Sequence, residues 1–332
     1  VTVRIGTRAS KLALTQTQQT ADQLAAVGGF PVELVHIRTD GDVLTGSLSQ
    51  MGGTGVFVAA LRDALLRNEC DVAVHSLKDL PTGAAVGLSL AATPRRVDVR
   101  DVLCARDGLK LADLPAGARV GTGSPRRAAQ LRAARTDLDI VDIRGNVDTR
   151  LGRVPGLPGN STRQVVPGKS CDLDAVVLAA AGLERIGRLD TVTEYLETDV
   201  MLPAAGQGSL AIECRTADAP PKPGSAEGSR GVLAQALAAL DDPDTRLAVT
   251  AERALLARLE AGCAAPVGAY AYRKGSMLHL EAVVCAVDGS ATVRDKRATD
   301  GLTEVGATLL GIELAEALLA AGAADIADLQ AS

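Results

Sequence analysis

Tryptophan is absent from these 332 residues, and aromatics of any kind make up only 2%. So sparse a set leaves little for stacking on nucleic-acid bases. A net charge of −5 likewise argues against a general nucleic-acid binder, while leaving room for local basic patches. With three histidines and no CxxC pair, nothing has the spacing of a zinc site. The six cysteines are irregularly spaced, which fits no disulfide framework and suggests a reducing compartment. No apolar run approaches the roughly 18 residues of a membrane span. The opening VTVRIGTRAS reads as a strand rather than a basic-then-apolar export signal, so the expected location is cytoplasmic.

What remains is a globular composition, 47% hydrophobic and 23% charged, long enough for two or three cores. Up to about residue 93, short β-branched runs alternate with amphipathic stretches. Strands are expected at 1–7, 32–37, 71–76 and 88–93, with helices over 11–27, capped by Ser10, and over 56–67. That alternation implies a mainly parallel, doubly wound α/β sheet. After PRRVDVRD a second cycle begins at Val102, with strands at 119–122, 139–144 and 175–179 and a helix over 125–135 opened by Pro125. LPAAGQG, at 202–208, is a second breaker, followed by the strand SLAIECR. Two crossings between two similar lobes suit a hinged protein. Pro/Gly-rich 219–231 reads as a linker to a third unit. There a helix starts at Asp242 and Pro243, Lys274-Gly275 and Asp288-Gly289 mark hairpins, and a last helix covers 304–321. This small C-terminal unit is expected to be α+β with an antiparallel sheet. The expected division is 1–96 with 209–226, then 101–202, then 229–332.

The chemistry-bearing residues gather at strand ends. VGTGSPRRAAQLR puts Thr122 at a strand end and Ser124, Arg126 and Arg127 at a helix start, where N–H groups and guanidiniums form an anion site. Cations at that end oppose the helix dipole, a cost that a bound anion relieves. Arg8 in GTRAS, Arg144 and Arg150 in RGNVDTR, and Arg185 in AGLERIG recur at equivalent places. Ligands of open α/β sheets bind beyond the carboxyl ends of strands, so the repetition implies one ligand with several carboxylates or phosphates. HSLKDLP adds Lys78 and Asp79 past the strand DVAV. A lone carboxylate among cations stays ionised, suited to cation stabilisation and proton transfer. His75 beside it is expected to be a hydrogen-bonded structural residue. TDGDVLTGSLSQMGGTGVF lacks the ending of a phosphate loop and reads as a mobile lid. Cys263, in LEAGCAAP, stands at an exposed helix end, whereas Cys70, Cys104, Cys214 and Cys285 lie in or beside apolar strand-like runs.

Taken in order, GTRAS, GGTGVF, HSLKDLP, VGTGSPRR, RGNVDTR, AGLERIG, LPAAGQG, IECR, VTAERALL and LEAGC resemble the porphobilinogen deaminase (hydroxymethylbilane synthase) family over nearly the whole chain. The resemblance implies two doubly wound, hinged lobes like those of type II periplasmic binding proteins, plus the small third domain. It implies a transferase of tetrapyrrole (haem) biosynthesis that condenses four porphobilinogen molecules head to tail with loss of ammonia, then releases hydroxymethylbilane by hydrolysis. A covalent dipyrromethane cofactor, in thioether linkage to Cys263, is implied as the primer. Asp79 is the implied catalytic group, near the pyrrole nitrogens. Arg8, Ser10, Lys78, Thr122, Ser124, Arg126, Arg127, Arg144, Arg150 and Arg185 match the family's carboxylate-binding positions. Gln16 matches a further polar contact, and Phe57 an aromatic at the lid edge. The family also implies a monomer with no metal, nucleic-acid or membrane partner, whose product passes to uroporphyrinogen-III synthase.

Several positions depart from the family pattern. Gln50 and Thr54 stand where many members have lysine, Asp148 where glycine is common, Gly123 where serine is common, and Ala261 in place of a glycine. Residues 152–169 form a longer surface connection, where added length costs little. On residues alone two other classes stay open. Two lobes with anion-holding arginines also describe a solute-binding protein, which has no use for Cys263. An acyl-transfer enzyme could use Cys263 as nucleophile, but no histidine partner is recognisable.

Overall fold

Local chemistry sets the first turn of the chain. Strand β1 (Val3–Thr7) stops before Arg8, and Ser10 caps helix α1 (Lys11–Gly28), its Oγ accepting from Ala13 N at 3.3 Å. The computed structural model describes residues 2–37, 55–157, 171–221, 228–262 and 265–330. Next come β2 (Val32–His36), α2 (Gly55–Leu66), β3 (Val72–Ser76) and β4 (Leu88–Ala92). β1 lies between β2 and β3, parallel to both.

The chain then crosses to a second lobe. It contains β5 (Asp101–Ala105), β6 (Arg119–Thr122), α3 (Pro125–Ala134), β7 (Asp139–Asp142), α4 (Val147–Leu151), β8 (Ala175–Ala179), α5 (Ala180–Arg185) and β9 (Glu194–Leu196). Its sheet has the order β7-β6-β8-β5-β9. Strand β10 (Leu210–Arg215) returns to the first lobe and inserts antiparallel between β3 and β4, giving β2-β1-β3-β10-β4. Both sheets are therefore mixed: β10 in one lobe and β5 in the other run against their neighbours. Each of these strands is entered through a crossing between lobes, so it is not bound to the parallel direction that a βαβ crossover imposes. Ile5, Leu24, Val72 and Ile212 centre the first core, and Leu103, Val120, Leu131 and Val177 the second.

Helix α6 (Val232–Leu240) packs on the first lobe. Sequence places 229–332 in the third unit, but Ala236 and Leu237 of α6 are buried with Ile5 and Leu24 in the first lobe's core. The third fold begins at α7 (Pro243–Arg258), where Asp242 Oδ1 caps Thr245 N at 2.8 Å. Strands β11 (Val267–Lys274), β12 (Met277–Cys285) and β13 (Thr292–Thr299) form an antiparallel meander. Helices α8 (Glu304–Ala320) and α9 (Ala323–Ile326) complete the unit. Gly311 lets α8 lie directly on α7, since a Cβ there would sit 2.3 Å from Ala251 O. Among the described residues, no helix is long and apolar enough to cross a membrane.

One buried carboxylate ties the three units together. Glu252 on α7 is fully buried. It accepts from Arg96 in the first crossing at 2.6 and 3.1 Å, from Gly206 N in the second at 2.6 Å, and from Ala271 N of β11 at 2.7 Å. A charge removed from water needs this degree of satisfaction.

Candidate functional site

The residues after β3 form a single 3-10 turn, Leu77–Asp79, closed by Leu80 N to Leu77 O at 3.0 Å and anchored by Leu77 N to Ser209 O at 3.0 Å. The turn places Lys78 and Asp79 past the carboxyl end of the strand, as the sequence predicts. Asp79 borders a cavity of about 100 Å³ together with Arg8, Ser10, Gln16 and Ser76. Gln16, on the buried face of α1, donates from Nε2 to Ser76 Oγ at 3.1 Å. His75 borders the same cavity, and its Nε2 lies 3.2 Å from Glu213 Oε2 without the alignment of a hydrogen bond. Burial pushes the Glu213 carboxyl up, but His75 and the bidentate Arg62 outweigh it and hold it down at about 2. His75 thus sits beside the buried Glu213–Arg62 pair.

On the second lobe, β6 ends at Thr122, whose Oγ1 accepts from Ser124 N at 3.2 Å. Ser124 then caps α3, with Pro125 in the first turn. Arg126 and Arg127 are not a solvated helix start: they are 4% and 6% exposed. Asp101, at the start of β5, holds both. Its Oδ2 accepts from Arg126 at 2.8 Å, and its Oδ1 from Arg127 at 2.8 and 3.0 Å and from Gln207 at 2.8 Å. Burial favours the protonated carboxyl, yet the guanidiniums bring Asp101 down to about 2. Arg126 also donates to Leu202 O, and Arg127 to Val177 O at 3.1 Å. One anion thus faces two buried cations, so positive charge is left over.

The neighbouring cations register that excess. Lys78 is exposed at the surface, yet the bulk of protein around it, and then Arg127, lower its pKa to about 8. Arg126 repels it as well, so the charge of the second lobe's arginine pair is felt at the Asp79 turn. Arg150, donating from Nε to Gly145 O at 2.8 Å, is lowered to about 10 by burial and then by Arg127 and Arg144. Arg144 is exposed and contacts Asp142 at 3.3 Å. Arg185 donates to Gly208 O at 3.0 Å in the second crossing, and burial lowers its pKa. Lys78, Arg127 and Arg150 thus feel one another's charge, with Arg126 and Arg144 as further repelling neighbours, while Arg8, Ser10, Gln16 and Asp79 line one cavity on the first lobe. Cys263, the Phe57 side chain, most of the lid and residues 158–169 lie outside the described residues.

Sequence reasoning missed Asp101 and Gln207. PRRVDVRD reads as a break in pattern, and the surviving signal is charge balance: an Arg-Arg pair that folds inward needs an acid. Two departures also find a setting. Asp148 pairs with Arg188 at 3.1 Å, joining α4 to the residues after α5. Gly123 allows Ile143 O to approach so closely that a Cβ would sit 2.5 Å from it. The four apolar cysteines are buried, with thiol pKa values raised to about 11 for Cys70, Cys104 and Cys285 and about 12 for Cys214, chiefly by burial.

Comparison with known proteins adds an independent line. Residues 3–222 match the family model described as "Porphobilinogen deaminase, dipyromethane cofactor binding domain", and residues 246–320 match "Porphobilinogen deaminase, C-terminal domain". The chain is 56% identical to the porphobilinogen deaminase of Cutibacterium acnes, over 99% of this chain and 98% of that one. It is 48% identical to that of Mycobacterium bovis, over 98% of each. Among solved structures, a periplasmic substrate-binding protein from Coxiella burnetii is similar with a TM-score of 0.41 at 14% identity, covering 73% of this chain and 92% of that one.

Proposed function

The chain belongs to the porphobilinogen deaminase family, and from that premise we propose how its residues carry the family's reaction. Four porphobilinogen molecules are joined head to tail with loss of ammonia, and hydroxymethylbilane is released by hydrolysis, a transferase activity of tetrapyrrole synthesis. The observation that carries the reading is the buried Arg126–Arg127 pair, whose two guanidiniums share the one carboxylate of Asp101. Each porphobilinogen brings an acetate and a propionate, so the substrate supplies the negative charge that the pair lacks.

The same donor set fits a dipyrromethane, which carries the carboxylates of two such rings. Arg8, Ser10, Gln16 and Lys78 on the first lobe and Thr122, Ser124, Arg126, Arg127, Arg144, Arg150 and Arg185 on the second are the residues to hold these acids, with Cys263 as the thioether tether. The hydroxyls of Ser10 and Thr122 accept backbone N–H groups, which leaves their own protons free to donate. When bound, the cofactor supplies the pyrrole carbon from which the chain grows. Asp79 does the work of each cycle. Its carboxylate lies against the substrate's ammonium group as ammonia leaves and against the cation left behind, and takes up the proton released when the attacking ring regains aromaticity. Phe57 offers a flat apolar contact at the crevice edge.

The proposed domains are 1–96 with 209–226, 101–202, and 229–332, the packing of α6 attaching its part of the last range to the first lobe. A cytoplasmic monomer that passes its product to uroporphyrinogen-III synthase completes the reading. The test is Asp79→Asn: substrate binding persists and most turnover is lost, and near-normal turnover sinks the role given to Asp79.

A further inference from the structure

The Asp79 turn is gripped from outside its own lobe. Arg253, on α7, donates from Nη1 to Leu80 O at 3.0 Å and from Nη2 to Pro81 O at 2.7 Å. These are the two carbonyls that follow Asp79. One helical turn earlier, the buried Val249 packs with Leu77 and Leu80, the residues that bracket Lys78 and Asp79. Residues four apart share a helix face, so α7 offers the turn an apolar contact and a hydrogen-bonding contact together. A guanidinium is a planar, preorganised fork, and spanning successive carbonyls fixes the plane of the peptide as well as its position. The geometry has a cost, because burial lowers the Arg253 pKa with only partial compensation from Glu213. The residue beside it on α7 is Glu252, which holds both crossings.

We propose that Arg253 is a positioning residue for Asp79, its fork on the Leu80 and Pro81 carbonyls fixing the turn so that the carboxylate keeps its aim into the crevice. The inference rests on the role given to Asp79 above. It makes α7 a rigid link between the catalytic turn and the unit that carries Cys263.

The experiment uses full-length, cofactor-loaded protein bearing Arg253→Gln, Asp79→Asn, or both. Arg253→Gln is expected to carry the cofactor by intact mass and to keep KM within about twofold. Its kcat falls about ten- to a hundredfold, since about 1 Å of misplacement can cost that much. In the Asp79→Asn background the same substitution lowers kcat no further, because a residue acting through Asp79 has nothing left to position. Arg253→Lys, which keeps the charge and one donor group, restores part of the rate and serves in place of Arg253→Gln if that variant folds poorly. Wild-type kcat in the folded, loaded Arg253 variants overturns the inference while leaving Asp79 intact. An equal fold-loss in the Asp79→Asn background also overturns it, since Arg253 would then act on the fold at large. Wild-type kcat for Asp79→Asn alone defeats the catalytic reading and the inference with it.

Discussion

Replacing Asp101 by asparagine keeps the shape of the second-lobe site and removes one charge from a place that water does not reach. The carboxylate accepts four charge-assisted or amide hydrogen bonds, from Arg126, Arg127 and Gln207. Its pKa of about 2, against an ordinary 3.8, records that the guanidiniums win over burial. That shift corresponds to about 2 kcal/mol of stability at neutral pH. Because the folded value is the lower one, this stability is present above about pH 4 and is lost as the pH falls toward 2. Deleting one partner of a buried pair costs more than the shift alone, about 3–5 kcal/mol, because the remaining charges stay buried. In Asp101→Asn the two guanidiniums keep Lys78 and Arg150 as neighbours, so a ligand carboxylate relieves more repulsion there than in the wild type. Cofactor-free Asp101→Asn, made in a host unable to form porphobilinogen, is expected to lose about 3–5 kcal/mol in denaturant unfolding. The loaded variant loses markedly less. Equal losses with and without cofactor, or a cofactor-free loss under about 1 kcal/mol, refute the charge accounting.

The lowered pKa of Lys78 sets an alkaline limit on carboxylate binding. Its ammonium discharges as the pH rises through about 8, so kcat/KM of the wild type declines there. Lys78→Gln starts lower and lacks that limb; a limb near 8 that survives in Lys78→Gln contradicts the assignment. Gly123→Ser restores a residue common in the family, but its Cβ would sit 2.5 Å from Ile143 O. The expected cost is about 1–3 kcal/mol in chemical unfolding, and an unchanged midpoint means the backbone gives way freely.

Much of the fold was legible because its signals are local. Ser10, Ser124 and Asp242 each cap the helix that follows them, and the hairpin dipeptides at Gly275 and Gly289 mark true turns. Helix α6 was not legible as part of the first lobe. VLAQALAAL follows a Pro/Gly-rich stretch, has no side-chain cap, and is apolar on nearly every face, so only its burial beside Leu24 shows where it belongs. The insertion of β10 between β3 and β4 is a long-range pairing that no local pattern encodes. The site divides the same way. Strand-end arginines and Asp79 follow from position along the chain, while Asp101, Gln207 and Arg253 act across sequence separations of 25 to 173 residues.

The central claim is that a polycarboxylate crevice works on a pyrrole chain tethered to Cys263. Intact mass of the denatured protein tests it most directly, in the wild type and in Cys263→Ser. The account predicts a wild-type mass heavier than the sequence by one dipyrromethane and a Cys263→Ser mass equal to its sequence. An unmodified wild type that nevertheless turns over porphobilinogen, or an adduct that persists in Cys263→Ser, contradicts it.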